Sequence, residues 1–209
     1  MRWIRVSLAL GLVPSLAARH AIFVAPQSPG PWDVAQIDAF LDHVLRARAI
    51  DRDRIYLTGL SMGGGGAWEY AAAHPDRLAA VMPLCGLSLP DRGEAAQLGS
   101  LPVRAFHAFD DDVVPNHDSA AWLAAIAFVR GGPAESPMLS YPAENHWAAA
   151  NDVTAIFEDG HVRWEPVTEV PSSVRLSLTM FRSGGHAIWS RVYGDDASWD
   201  WLFAQRRGQ

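Results

Sequence analysis

Short apolar runs alternate with amphipathic segments along most of this chain. Four runs, at residues 21–25, 54–59, 78–85 and 103–109, have the length and apolar content of buried strands. Segments with apolar residues at helical spacing lie between them, as in the stretch 34–45. Because strands that alternate with helices build parallel sheets, this pattern predicts an α/β fold with a mostly parallel sheet and helices on both faces.

The later part of the chain has a different pattern. Residues 153–167 have the pattern of a hairpin around Asp159-Gly160, a pair that is favoured in tight two-residue turns. A further apolar run at residues 174–181 predicts a strand, and a final helix follows it.

One serine stands at a sharp boundary between a predicted strand and a predicted helix. The strand at residues 54–59 breaks at Ser61, and a glycine-rich helix follows to about Ala73. Gly59-x-Ser61-x-Gly63 has the spacing of a nucleophile elbow, in which small neighbours let the turn present one side chain at its apex. No lysine follows the glycines, so the pattern does not fit a phosphate-binding loop.

The composition of the chain excludes several classes of function. The net charge of −6 does not favour binding to nucleic acid or to an anionic membrane, because both are negatively charged. All 17 basic residues are arginine, which excludes mechanisms that use a lysine amine. A single cysteine excludes an internal disulfide and a Cys₄ zinc site, and we expect no metal. The 209 residues fit one domain over 1–209, in which about 141–173 form a lid-like hairpin insertion.

The segment DRDRIYLTGLSMGGGGAWEYAAAHPDRLAAVMPLCG, residues 51–86, resembles the elbow region of α/β-hydrolases. It is most similar to compact bacterial esterases related to dienelactone hydrolases, polyhydroxybutyrate depolymerases and carboxylesterases. The resemblance implies an α/β-hydrolase fold, a hairpin insertion before the histidine loop, no cofactor and a small-molecule ester substrate. It also implies that the catalytic residues follow in the order Ser, Asp, His.

The same resemblance indicates the catalytic acid. FHAFDDDVVP, residues 106–115, is similar to the family pattern His-Gly-x-x-Asp-x-Val-Val-Pro, which places the acid at Asp111 and has Ala108 where the family has glycine. Two alternatives for the aspartate run are a solvated turn and a metal site formed with His107 and His117.

Two histidines compete for the role of the base. SGGHAIWSRVYGDDASWDWLFAQ places His186 after a strand, with Trp189, Tyr193 and Trp201 at positions that resemble the family's C-terminal pattern. YPAENHWAAAN places His146 in a similar local setting, and that stretch also resembles a histidine loop. The position near the end of the chain favours His186, which leaves His146 in the insertion near the pocket rim.

These residues imply a carboxylesterase-type serine hydrolase for short to medium acyl esters. His186 is expected to take the proton of Ser61, Asp111 to orient His186, and the Met62 N–H to supply one oxyanion donor. A peptidase or a polyester or feruloyl-type esterase on the same triad are the alternatives. Four residues are expected to line the substrate pocket: Trp32, Gln27, Trp189 and His146.

The chain departs from the family before the first predicted strand. Only 20 residues precede it, without the His-Gly pair that marks the loop of the second oxyanion donor. We therefore expect a fold shortened at its N-terminus, with a backbone N–H near residues 27–30 as a substitute donor, or else a catalytically weak remnant. An unpaired sheet edge would also favour a homodimer.

The N-terminal stretch leaves the location of the protein open. Residues 1–18 have a basic start and a short apolar run, as a secretory signal does, but the run is too short to span a bilayer. The sequence continues directly into a predicted strand, which slightly favours a cytoplasmic location over secretion.

Overall fold

A computed structural model describes residues 21–132, 151–166 and 170–209. Its strands are β1 (Tyr56–Leu60), β2 (Ala80–Leu84), β3 (Val103–Ala108), β4 (Val153–Glu158), β5 (His161–Pro166) and β6 (Leu176–Phe181). Its helices are α1 (Val34–Ala47), α2 (Met62–Ala73), α3 (Arg92–Gln97), α4 (His117–Val129), α5 (Trp189–Tyr193) and α6 (Asp196–Ala204).

The strands form one mixed sheet in the order β1-β2-β3-β6-β4-β5. The β1–β2, β2–β3 and β3–β6 pairs are parallel, whereas β4 pairs antiparallel with both β6 and β5. The predicted parallel sheet is therefore confirmed for β1, β2, β3 and β6. The carboxyl ends of these four strands lie along one edge, which is where α/β folds place ligands and reacting groups.

Helices cover both faces of the sheet, as predicted. On one face α2, α3 and α4 pack over Val103 and Ala105 of β3, and α1 lies against this cluster. The other face carries α5 and α6, packed over Phe106 and Ala108 of the same strand. This division follows from the alternation of side chains along a strand.

The strand predicted at residues 21–25 is wrong. These residues have no regular secondary structure, and the side chains of Ile22, Phe23 and Val24 are about half exposed. A strand forms only where a neighbouring ladder satisfies its backbone groups. Within the described sheet β1 is the outermost strand at this end, so this segment pairs with no strand of the sheet.

Three hypotheses based on the N-terminal pattern stay predictions. The signal-like stretch lies outside the described residues, so the location inferred from it is untested. The homodimer through a sheet edge is also a prediction. No helix within the described ranges is long and apolar enough to cross a membrane.

The predicted hairpin is confirmed, and its lid-like role stays a prediction. Asp159 and Gly160 both have positive φ, at 50° and 79°, as a tight two-residue hairpin turn requires. β4 pairs with β6, so the hairpin extends the sheet. The physical reason is that Val153–Phe157 are buried on both faces of the strand, as in the interior of a sheet. The rest of the predicted insertion lies largely outside the described residues.

Candidate active site

The predicted catalytic residues follow neighbouring parallel strands. Ser61 comes directly after β1, Asp111 follows β3 and His186 follows β6. Cys85, directly after β2, lies between them in the order of the sheet. The topology therefore brings all three predicted residues to one edge of the sheet.

Ser61 occupies a strained turn between β1 and α2. Its backbone has φ 54° and ψ −121°, a conformation that costs a non-glycine residue about 1–3 kcal/mol. The Ser61 N–H donates to the Leu84 carbonyl at 2.9 Å, and the Ser61 carbonyl accepts from the Gly65 N–H at 2.9 Å. The next residue, Met62, is the first of α2, and N–H groups in a first helical turn have no acceptor within the helix. Such a turn presents the serine at the N-terminus of the helix, where an anion is stabilised.

Two glycines at the elbow are required by close contacts with backbone. A Cβ on Gly59 would collide with the carbonyl of Gly63, and a Cβ on Gly64 would lie 2.5 Å from the Leu84 carbonyl oxygen. Gly63 differs, because its Cβ would meet no atom nearer than 3.9 Å. The small residue before the serine is thus needed for the turn, whereas the second glycine of the pattern is not needed for space.

The remaining glycines of the run let two other segments approach α2. A Cβ on Gly65 would lie 2.5 Å from the Leu87 carbonyl oxygen, in the loop after β2. A Cβ on Gly66 would lie 2.7 Å from the Cβ of Trp32, whose side chain covers this turn of the helix. Close packing explains a glycine run whose helix propensity is poor.

Alanine substitutions at adjacent positions of this run should have opposite effects. Gly64→Ala is expected to lower the free energy of unfolding by about 1–3 kcal/mol or more, because backbone must move to accommodate the methyl group. Gly63→Ala, the matched control, is expected to be neutral or to stabilise by up to about 1 kcal/mol, because alanine favours a helix. Urea unfolding followed by circular dichroism measures both. Equal stabilities of the two variants would contradict the close approach of α2 to β2.

Asp111 is a buried carboxylate that accepts hydrogen bonds at both oxygens. Oδ1 accepts from the N–H groups of Val113 and Val114, each at 2.9 Å, and Oδ2 accepts from Nδ1 of His186 at 2.8 Å. The side chain is fully buried. Burial raises the pKa of Asp111, but the hydrogen bonds from His186 and the two amides outweigh it, so the pKa lies below its usual value. The carboxylate is therefore ionised at neutral pH.

His186 is oriented by its contact with Asp111. With Nδ1 donating to the carboxylate, Nε2 is the nitrogen left to accept a proton. The side chain is 17% exposed, and the ring of Trp189 meets it edge-on at 6.3 Å between centroids. The structure thus brings Asp111 and His186 together in the arrangement that a general base requires.

Asp110 holds the loop that carries His186. Its Oδ1 accepts from the Gly185 N–H at 2.8 Å, and its Oδ2 accepts from the Gly184 N–H at 3.3 Å. The sequence motif assigns a role to Asp111 in this aspartate run, but none to Asp110. Two adjacent aspartates serve two purposes here, because successive side chains in the turn point in different directions.

His107 was considered only for a metal site, yet it contacts the proposed acid. Its Nε2 lies 3.2 Å from Asp111 Oδ2 and 3.1 Å from the Val114 carbonyl, and its Nδ1 lies 2.8 Å from Ser119 Oγ. His107 is fully buried. His117, the other histidine of that alternative, lies 3.2 Å from Asp118 through its own Nε2. The signal in the sequence was His107 itself, the second residue of the FHAFDDDVVP motif.

Cys85 lies beneath the proposed triad. It is buried, its Sγ donates to the His186 carbonyl at 3.7 Å, and its backbone φ is 44°. Burial, with the nearby Asp111 charge, raises the pKa of the thiol, so it stays protonated. Among the described residues, Cys85, Asp111 and His186 have ligand atoms within 4.8 Å of one another. A metal there would have to displace the proton shared by Asp111 and His186 and deprotonate this thiol.

Two of the four predicted pocket residues lie near the proposed site. Trp189 contacts His186, and Trp32 packs on the first turns of α2. Gln27 is exposed. His146 lies outside the described residues, so the preference for His186 over it rests on the position of His186 beside Asp111. The catalytic and binding roles of these residues stay predictions.

Sequence comparisons match this chain to a protein family and to a named relative. The sequence model of the dienelactone hydrolase family matches residues 26–147, which is more than half of the chain. NocK of Nocardia uniformis subsp. tsuyamanensis, a protein named as an esterase, is 32% identical over 96 residues, covering 42% of this chain and 28% of NocK.

One solved structure supports the fold, and a second is less similar. A crystal structure of a thermostable esterase gives a TM-score of 0.58 at 24% identity, over 92% of this chain and 40% of that chain. SOBER1 of Arabidopsis thaliana gives a TM-score of 0.48 at 18% identity, over 81% of this chain and 60% of that chain. The predicted α/β-hydrolase fold is confirmed by the first of these. This chain spans less than half the length of NocK and of the thermostable esterase.

Proposed function

The chain belongs to the dienelactone hydrolase family, and we propose that it is a serine hydrolase that cleaves carboxylic esters of short to medium acyl chains. The observation that carries the proposal is the 2.8 Å hydrogen bond between His186 and Asp111, at the sheet edge where Ser61 stands on a strained elbow. A nucleophile, a base and an orienting acid at one edge are what acyl transfer requires.

The chemistry follows from the protons that these groups hold. His186 Nε2 removes the proton of Ser61, whose oxygen attacks the ester carbonyl to form a tetrahedral oxyanion. His186 then returns the proton to the departing alcohol oxygen, leaving an acyl-enzyme on Ser61. Water, deprotonated by His186, attacks the acyl carbonyl and releases the carboxylic acid. Asp111 stays ionised and stabilises the imidazolium that forms twice in this cycle.

The oxyanion is expected to bind the Met62 N–H and a second donor. The segment 27–30 remains our candidate for that donor, because Trp32, two residues later, packs against α2 near the elbow. Losing one of two such donors typically lowers kcat by about 10²–10³-fold. A catalytically weak remnant therefore stays the alternative to a full esterase.

Exposed apolar side chains near the strand ends support an apolar acyl group. Met62 follows the proposed nucleophile, Leu87 and Leu89 follow β2, and Val113 follows β3; each is at least 41% exposed. Such side chains can bury part of an alkyl chain at about 25 cal/mol per Å² of apolar surface removed from water. A peptidase on the same triad stays the alternative.

Hydrolysis of p-nitrophenyl esters from acetate to decanoate tests the proposal. We expect turnover by the wild type with a maximum of kcat/KM at short or medium chains. His186→Ala should lower kcat/KM by about 10⁴-fold or more, because the general base is lost. His161→Ala, the same change at an exposed position of the distant hairpin, should leave it unchanged. Equal activity of His186→Ala and the wild type would contradict the proposal.

A further inference from the structure

We propose that His107 is a positioning residue of the triad, donating its Nε2–H to Asp111 and so fixing the carboxylate that orients His186; this rests on the proposed function above. The same carboxylate oxygen, Oδ2, lies 2.8 Å from Nδ1 of His186 and 3.2 Å from Nε2 of His107. Two imidazoles thus meet at one oxygen, but only His186 is partly exposed.

The hydrogen-bond partners of His107 decide which nitrogen carries its proton. The Val114 carbonyl, 3.1 Å from Nε2, can only accept, so Nε2 must hold a hydrogen. That hydrogen is shared between the Val114 carbonyl and Asp111 Oδ2. Nδ1 is then free to accept the hydroxyl hydrogen of Ser119, whose Oγ lies at 2.8 Å. Every polar atom of the ring has a partner, and the Nε2–H tautomer is the one they select.

Burial keeps this histidine neutral. It lowers the pKa of His107, against the opposing effects of the Val114 carbonyl and Asp111. The titratable groups that face the pair are His186 from the loop after β6 and Cys85 from the end of β2. Because His107 donates without a charge of its own, the negative charge of Asp111 remains available to the imidazolium of His186.

Four N–H donors therefore hold Asp111, two backbone amides at Oδ1 and two imidazoles at Oδ2. Each donor lowers the basicity of the carboxylate and restricts its rotation. Without His107, Oδ2 becomes more basic and binds the His186 proton more tightly. We therefore expect the acidic limb of the activity profile to move to higher pH.

The pH dependence of kcat/KM in two variants tests this role. His107→Met fills similar space without a donor, whereas the amide of His107→Gln can donate to Asp111 and accept from Ser119. We expect the acidic limb of His107→Met to move up by about half to one pH unit, a 3- to 10-fold loss near pH 6, with His107→Gln close to the wild-type limb. If the acidic limbs of the wild type, His107→Met and His107→Gln coincide and all three proteins are folded, the proposal is overturned.

A second measurement needs neither variant nor turnover. Nitrogen NMR of ¹⁵N-histidine-labelled wild type at neutral pH should show His107 neutral, with its hydrogen on Nε2. A hydrogen on Nδ1 alone would overturn the proposal, because Nε2 could not then donate to Asp111. Wild type that fails to hydrolyse any ester while showing the Nε2–H tautomer would instead contradict the proposed function and leave the contact with Asp111 intact.

Discussion

Replacing Ser61 with alanine is expected to abolish ester hydrolysis while leaving the protein folded. Within the part of the chain that the structure describes, the Cys85 thiol beside the triad does not replace the proposed nucleophile, since burial keeps it protonated. In enzymes with a Ser-His-Asp triad, loss of the serine costs about 10⁶-fold in kcat. Alanine also lacks the hydroxyl but keeps a Cβ, so the strained φ of 54° at this position persists. Steady-state hydrolysis of p-nitrophenyl butyrate measures the effect.

Ser173→Ala is the matched control for that experiment. Ser173 is exposed in a turn before β6, so its loss should change neither kcat nor KM. Residual activity of Ser61→Ala within tenfold of the wild type would show that another group attacks the ester. Loss of activity in both variants would point to damage from purification rather than to the site.

Asp111→Asn is expected to lower kcat by about 10⁴-fold and also to lower stability at neutral pH, because a carboxylate whose pKa is lowered by its hydrogen bonds stabilises the fold there. The two amides that donate to Oδ1 can still bind the amide oxygen of asparagine, so its NH₂ group would face His186. An N–H donor at that position forces the His186 hydrogen onto Nε2. The base would then hold the wrong tautomer and could not accept the proton of Ser61. The kcat for p-nitrophenyl butyrate at pH 7 to 9 measures this loss.

Asp112→Asn provides the control for the acid. This neighbour is exposed, and the same chemical change there should leave kcat within about twofold. A wild-type kcat in Asp111→Asn would contradict the role of the 2.8 Å hydrogen bond to His186. An equal loss in both variants would indicate that the turn as a whole, rather than one carboxylate, supports catalysis.

The positions of Asp111 and His186 were predictable because local motifs and chain order point to them. The parallel arrangement of β1, β2, β3 and β6 followed from alternating strands and helices, and parallel strands place their carboxyl ends together. The strand-turn-helix context of Ser61 was visible in one stretch of sequence, since few other patterns need small residues around a serine. These features depend on local sequence, where pattern-based reasoning is strongest.

The contacts that support the site could not be predicted in the same way. His107 reaches Asp111 only after β3 and the following turn have folded, and Asp110 binds backbone groups 74 and 75 residues away. The apolar run at residues 21–25 resembles a strand, but composition cannot supply a partner for its backbone. The sequence likewise predicts the hairpin but does not reveal that its strand β4 pairs with β6. The first depends on the geometry of the turn after β3, and the other three depend on segments that are distant in sequence.

Fluorophosphonate labelling, followed by mass spectrometry of the digested protein, tests the central claim most directly. The reagent traps an activated serine hydroxyl and does not depend on the acyl group that the enzyme prefers. The account predicts one phosphonate adduct, on Ser61, formed by the wild type and by Ser173→Ala but not by His186→Ala. No adduct on Ser61 of the folded wild type, or an adduct on another residue alone, would contradict a serine hydrolase built on Ser61, Asp111 and His186.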